Sequence, residues 1–362
     1  MLVIGGELEF DPQAYFGELR NSLAAWNFSA WGVWTDLGRS ALLLAALAIR
    51  ERGGRRVWLP AFSCASVAQP FAQAGFALNY YCIGVGLMGV QSPTLLPEAG
   101  DTVLFIHYFG HRNEQMIQLT SSLKAAGVWV IEDCVQASLR PTLSEHADFA
   151  VTSYRKFLPV ADGALLLSHE PVSSIGAGMQ LSAPDESFVG ARLIAKILRG
   201  AAAHSSDFLP LLERTETAVD RSFVARRMSF TSTWMLERID LEEVARKRRI
   251  NWLALYEGIR ERGLESLLEP VTPGLGAEVV PLGFPVRVAG ERRDELRGFL
   301  AQRQIYCPVH WPLNHLPREG TYAYERDLER SCLTLPIDQR VTPAHVERLL
   351  TELMGFFHNS RF

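Results

Sequence analysis

From Arg39 to Ser168 short apolar runs of strand character alternate with helical stretches, and this alternation narrows the fold more than any other feature of the chain. SALLLAALAIRERGG has an apolar face, charges in its last turn and glycines at its stop, the pattern of a helix. RRVWLP reads as a strand ended by Pro60, SVAQPFAQAGF as a helix ending near Gly75, and FALNYYCI as a strand. DTVLFIHYF and VWVIEDC are almost continuously apolar, as strands buried on both faces are. EQMIQLTSSLKAAG between them is an amphipathic helix, and DFAVTSY and ALLLS are two further strands around a loop. Such alternation implies an α/β fold, a doubly wound and mostly parallel sheet with helices on both faces. Ligands of these sheets sit at the carboxyl ends of the strands. Ser63, His107, Asp133 and Lys156 all fall at such ends.

At 362 residues the chain is too long for one simple core. Beyond Pro171 the pattern is weaker and more helical, with GARLIAKILRGAAAH as a helix and LEEVARKRRINWLALYEGIRERG as a long amphipathic one. Then VVPLGFPVRV and IYCPVHW read as strands and RRDELRGFLAQRQ as a helix. TPAHVERLLTELMGFF is a last helix, with Thr342 as its cap and Pro343 at its first position. The expected division is an N-terminal arm and large domain over residues 1–250 and a small α+β domain over 251–362. Hydrophobic residues make up 48% and charged residues 21%, the balance of an ordinary globular protein. A net charge of −4 gives no bulk reason to expect nucleic acid or an anionic membrane as partner. The apolar stretch Ala41–Ile49 is far short of a membrane span. MLVIGGELEF lacks the basic start of a signal peptide. The five cysteines show no C-x-x-C spacing, so neither a zinc site nor a disulfide framework is indicated, and their odd number suits a reducing cytoplasm.

Three groups of residues could carry chemistry. Asp133, with Gln136 after it, ends a buried strand, where a carboxylate is costly without a cationic partner. A protonated pyridine nitrogen would be such a partner; an aspartate capping the next helix explains the same letters. Lys156 lies between two apolar segments just past a strand, with Thr152 and Ser153 before it and an Asp162-Gly163 turn after it. A pocket there would make its amine a nucleophile towards aldehydes, whereas a solvated loop would make it an ordinary lysine beside Arg155. Gly38-Arg39-Ser40 opens a helix, where free N–H groups and the helix dipole attract a phosphate, although a plain cap at Ser40 reads identically. Their order along one α/β domain is what joins the three.

With these segments in place, the chain resembles the DegT/DnrJ/StrS family of pyridoxal-phosphate (PLP)-dependent nucleotide-sugar aminotransferases, nearly end to end. LGRSALLLAAL is similar to that family's phosphate-binding helix start and VWLPAFSCASVAQPFAQAGF to its Val-x-x-Pro strand and next helix. FIHYFGHRNEQM resembles its His-x-x-Gly segment, VIEDCVQA its Asp-x-x-Gln motif, and RRMSF the Arg-Met segment before its dimer-contacting helix. IYCPVHWPLNH and LTLPIDQRVTPAHVERLL resemble its C-terminal His-Pro and Leu-Pro segments. The resemblance implies an aspartate aminotransferase-like fold (PLP fold type I) and pyridoxal 5'-phosphate as cofactor. It implies Lys156 as Schiff-base lysine and catalytic base, Asp133 at the pyridine nitrogen and Gln136 at the ring hydroxyl. Gly38, Arg39, Ser40 and Ser153 would hold the phosphate. Cys64 stands where an aromatic ring often covers the cofactor, and Ser153 lies three rather than five residues before the lysine. The common Glu-Gly-Gly after the lysine reads Ala161-Asp162-Gly163-Ala164, so the branch is divergent.

The activity so implied is ping-pong transfer of an amino group from glutamate to a nucleotide-linked keto-sugar, as in polysaccharide biosynthesis, by a cytoplasmic homodimer with active sites at its interface. His107 and His310 would line the substrate pocket, and Arg227, beside Arg226, would reach an anion across the dimer interface; structural histidines and a solvated basic turn are the bland alternatives. Arg246, Lys247, Arg248 and Arg249 read as an exposed helix face, and Trp311 as a core residue. The rivals are a PLP enzyme of the same fold with another reaction or a non-sugar substrate, and a non-catalytic relative without the cofactor.

Overall fold

The computed structural model describes residues 3–10, 31–91, 94–137, 139, 141–171, 181–201, 204–272, 274–316 and 322–358. Most of the expected N-terminal arm, residues 11–30, lies outside them. The strands are β1 (Ile4–Gly5), β2 (Trp31–Thr35), β3 (Arg56–Pro60), β4 (Ala77–Tyr81), β5 (Thr102–Ile106), β6 (Trp129–Asp133), β7 (Phe149–Ser153), β8 (Ala164–Ser168), β9 (Leu268–Pro270), β10 (Phe284–Val288), β11 (Ile305–Tyr306) and β12 (Cys332–Leu335). The helices are α1 (Gly38–Glu51), α2 (Ala68–Gln73), α3 (Glu114–Ala125), α4 (Glu186–Gly200), α5 (Ser205–Arg221), α6 (Phe230–Leu236), α7 (Leu241–Glu261), α8 (Arg293–Gln302), α9 (Ala323–Ser331) and α10 (Pro343–His358).

Seven strands form the main sheet in the order β2-β8-β7-β6-β5-β3-β4. β8 alone runs against the others, so the sheet is mostly parallel, as the alternation implies. Every residue of β5, β7 and β8 is buried, which is why those segments read as unbroken apolar runs. α1 is buried almost all round and packs on β7 and β8, so its first turn is held against the sheet. Because β3, β5, β6 and β7 are parallel, their carboxyl ends share one edge.

A second apolar core draws on residues from Trp252 to Phe357 around the antiparallel sheet β12-β10-β9. Ile4 belongs to it, because β1 pairs in parallel with β11; grouping residues 1–250 does not anticipate this contact. α4 and α5 pack on each other and fill the weakly patterned stretch before α6.

Two elements differ from their sequence reading. The helix expected over SVAQPFAQAGF begins as a 3-10 turn, Ala65–Val67, before α2. The strand expected over IYCPVHW stops at Tyr306, and Pro308 and Pro312 have no N–H for a ladder. The last helix is capped as expected, the His345 N–H donating to Thr342 Oγ1 at 3.4 Å. No helix among the described residues is long and apolar enough to cross a membrane.

Candidate active site

A cavity of about 270 Å³ opens at the shared carboxyl edge of the main sheet. Gly38 and Arg39 enter its wall from α1, and Cys64 from the loop after β3. Asp133 and Gln136 come from the end of β6, Ser153 and Lys156 from the end of β7. His310 and Trp311 close it from the C-terminal part of the chain. Lys156 sits in a single 3-10 turn, Tyr154–Lys156, directly after β7, and its side chain is exposed towards the opening. Burial of Tyr154 and Phe157 on either side of it fixes the turn while leaving the amine accessible.

Asp133 is buried, and its Oδ1 accepts the Val135 N–H at 2.9 Å. Burial drives its pKa up to about 6 against that hydrogen bond and the charges of His107 and Lys156. No cation among the described residues bonds to it. Gln136 is oriented by the Phe109 N–H, which donates to its Oε1 at 2.7 Å. Phe109 holds a left-handed backbone (φ 52°), and its carbonyl accepts the Leu282 N–H at 3.0 Å, tying this loop to the segment before β10. The Tyr108 hydroxyl donates to the Phe62 carbonyl at 2.6 Å and so fixes the loop that carries Cys64.

The other end of the cavity gathers backbone donors and guanidinium groups. The N–H groups of Gly38 and Arg39 precede the first intrahelical bonds of α1, which Ser40 and Ala41 make to the Leu37 carbonyl at 2.9 and 3.2 Å. A Cβ on Gly38 would meet Val135 at 3.4 Å and Ser153 at 3.7 Å, so the residue is closely packed against the cavity floor. Arg39 and Arg155 add two guanidinium groups. Arg39 is bonded to Gln69 and Asp220, and Arg155 to Glu216 at 2.9 Å. Burial opposes ionisation of Glu216, but Arg155 and Arg192 hold its pKa below the usual carboxylate range.

At the mouth, burial and the Lys156 charge push the His310 pKa down to about 3, so its ring is neutral at physiological pH. Its Nδ1 lies 3.1 Å from Thr334 Oγ1. Trp311 packs on Phe62, with ring centroids 5.2 Å apart.

Eight of the expected site residues thus meet at one cavity: Gly38, Arg39, Cys64, Asp133, Gln136, Ser153, Lys156 and His310. Three do not line it. Ser40 is fully buried and its hydroxyl donates to Asp36, whose Oδ1 also accepts the Leu37 N–H at 2.8 Å. His107 is buried behind β6, its Nε2 2.9 Å from Glu132 Oε2 and its Nδ1 accepting the Asn113 N–H at 2.9 Å. Arg227 lies on the segment before α6, its N–H bonded to the Ser182 carbonyl. Two readings of neighbouring residues are corrected. Arg248 is buried rather than on an exposed face, because the α7 face that carries it turns inwards. Trp311 is a half-buried wall of the cavity rather than core. Arg155 and Glu216 were missed; Glu216 is 61 residues from its partner, and no local pattern marks such a pair.

No protein-family model matches the sequence, and no curated protein matches it. Solved structures do resemble it. PseC from Helicobacter pylori, an aminotransferase involved in the biosynthesis of pseudoaminic acid, superposes with a TM-score of 0.70 at 13% identity, over 99% of this chain and 100% of that one. A DegT DnrJ EryC1 StrS aminotransferase from Brucella abortus gives 0.61 at 16% identity, over 90% and 85% of the two chains. NtdA from Bacillus subtilis, solved with bound cofactor PMP, gives 0.62 at 16% identity, over 90% and 73%. The chain therefore has the α/β architecture of PLP fold type I, the fold shared by these aminotransferases.

Proposed function

We propose that the protein is a PLP-dependent aminotransferase. The observation that carries the reading is the pairing of Asp133 and Lys156, from neighbouring strand ends, in a cavity whose far end is the first turn of α1. The residues fit the cofactor. Asp133 is a buried carboxylate that lacks a cation, which a ring N–H would supply. The N–H groups of Gly38 and Arg39, with the Arg39 guanidinium, suit a phosphate.

PLP, when bound, supplies an aldehyde that condenses with amines and a ring that accepts the electron pair of a breaking C–H bond. Asp133 keeps the proton on the ring nitrogen. Lys156 Nζ would be the amine that holds the cofactor aldehyde and, once displaced by the amine of the substrate, the base that takes a proton from the amino-acid Cα and returns it. Gln136, fixed by Phe109, orients the ring, and Cys64 and Trp311 restrict the space around it. His310, kept neutral by burial and the Lys156 charge, adds no positive charge beside the Lys156 amine.

The finer reading is transfer from glutamate to a nucleotide-linked keto-sugar in cytoplasmic polysaccharide biosynthesis. It makes the protein a homodimer with active sites at the interface, for which Trp31 and Phe230, 58% and 80% exposed, offer apolar surface. The test is the donor half-reaction: PLP-loaded protein is mixed with glutamate, and 2-oxoglutarate is measured. Stoichiometric 2-oxoglutarate is expected from the wild type and none above background from Lys156→Ala. Failure of every amino donor tried with the wild type would overturn the proposal.

A further inference from the structure

A carboxylate stands among the cations of the cavity wall. Glu216 of α5 lines the cavity together with Arg39, Arg155 and Lys156. One of its oxygens, Oε1, accepts from Arg155 Nη2 at 2.9 Å and from Arg192 Nη1 at 2.7 Å. The other, Oε2, lies 3.9 Å from Arg39 Nη2, an ion pair without a hydrogen bond. Arg39 has a second carboxylate, Asp220, one turn further along α5, but that group is 62% exposed and water and salt screen its charge. Glu216 therefore draws on three guanidinium groups at once.

These cations crowd one another. Arg192 is buried, and burial together with the Arg155 charge lowers its pKa. A negative charge between the two relieves that repulsion, and against its own burial Glu216 is kept ionised by Arg155 and Arg192. The same carboxylate stands close to the donors that suit a phosphate. Arg39 offers both its N–H at the first turn of α1 and its guanidinium. An anion bonded to that guanidinium is separated from Glu216 by the width of one side-chain group. Glu216 also does not saturate Arg155, whose Nη1 is buried and has no hydrogen-bond partner among the described residues. The site thus carries a negative charge of its own where a second negative charge is to bind, and like charges at such separations repel by several kcal/mol at an effective dielectric of about 20.

We propose that Glu216 is a resident counter-ion for Arg39 and Arg155 that competes with the phosphate of the cofactor and so sets how tightly that phosphate is held. The identity of the phosphate rests on the aminotransferase reading, whereas the competition holds for any phosphate-like anion at the first turn of α1. Two opposite consequences follow. Glu216 stabilises the cofactor-free protein, because it offsets the repulsion among the guanidinium groups. It also repels the incoming dianion and engages Arg155, so a phosphate binds less tightly than the donors alone would allow. An ion pair with a purely structural role gives the first consequence without the second, since its loss would misplace Arg155 and weaken anion binding.

Cofactor-free wild type and Glu216→Gln are titrated with PLP, with pyridoxal, which lacks the phosphate, and with inorganic phosphate. Absorbance follows the two aldehydes and calorimetry the phosphate. Glutamine matches glutamate in shape and keeps an oxygen for Arg155 and Arg192, and the Glu216 side chain is 39% exposed, so the variant folds. The expected result is PLP and phosphate binding tighter by about tenfold or more in Glu216→Gln, with pyridoxal within about twofold. The cofactor-free variant should also melt below the wild type, and saturating phosphate should raise its Tm by more than it raises the wild type's. Unchanged or weaker binding of PLP and phosphate by Glu216→Gln would overturn the proposal. So would an equal gain for pyridoxal, since the substitution would then act at the ring or at Lys156 and not on the phosphate. If the wild type binds PLP no better than pyridoxal, yet binds phosphate more weakly than the variant does, the cofactor reading fails and the competition at the anion site remains.

Discussion

The carboxyl of Asp133 shows what a site residue costs before its ligand arrives. Burial raises its pKa from 3.8 to about 6. A carboxyl with a folded-state pKa above its unfolded value contributes stability that is fully present below pH 3.8 and lost as the pH rises through 6. At pH 8 the ionised group therefore costs the cofactor-free fold roughly 3 kcal/mol. Asp133→Asn removes that charge, so the cofactor-free variant should melt several degrees above the wild type at pH 8 and close to it at pH 4. The same variant should lose the glutamate half-reaction. Thermal unfolding at the two pH values checks the first claim, and equal melting temperatures at pH 8 would refute it. Asp133 and Lys156 were legible in the sequence because each follows a strand whose burial is written in its own apolar run. Ser40 and His107 have equally suggestive letters, but the fold assigns their polar atoms to Asp36 and Glu132.

Among the elements, the segment from Gly5 to Phe10 is held by charge rather than by a ladder of its own beyond β1. Glu7 bonds Lys196 and Arg192 of α4, both buried, and Arg340 donates to the Glu7 carbonyl at 3.0 Å. Burial works against the Glu7 carboxylate, but Lys196 and Arg192 bring its pKa down to about 2. A depressed carboxylate contributes stability that is present above its unfolded value of 4.5 and lost as the pH falls through 2. Glu7→Gln takes from buried Lys196 the carboxylate it bonds, whereas Arg192 keeps Glu216 at 2.7 Å, and the partial exposure of Glu7 moderates the penalty. The variant should be less stable by about 2 to 3 kcal/mol at pH 7. That deficit should shrink steadily between pH 4.5 and 2, which urea unfolding at several pH values would reveal; a constant deficit would mean that packing, not charge, is lost. Strands β3 to β8 and helices α1, α3, α4, α7, α8 and α10 were legible element by element, whereas β2, β9, β12 and α5 were not. The pairing of β1 with β11 was not, since two residues carry no periodicity and the match joins Ile4 to Ile305.

At the scale of the whole molecule, the candidate active site is a product of how the C-terminal part of the chain meets the main sheet, since His310 and Trp311 reach the cavity from there. By itself the sequence determined the α/β class, the mostly parallel sheet and the succession of Gly38, Asp133 and Lys156, because strand burial, helix starts and turn residues are local properties. Only the tertiary structure decided that His310 and Trp311 close the cavity, that Glu216 engages Arg155, and that Arg248 is buried. Those contacts join residues from 34 to over 150 positions apart. Packing of the two cores sets them, and no periodicity along the chain encodes such distances.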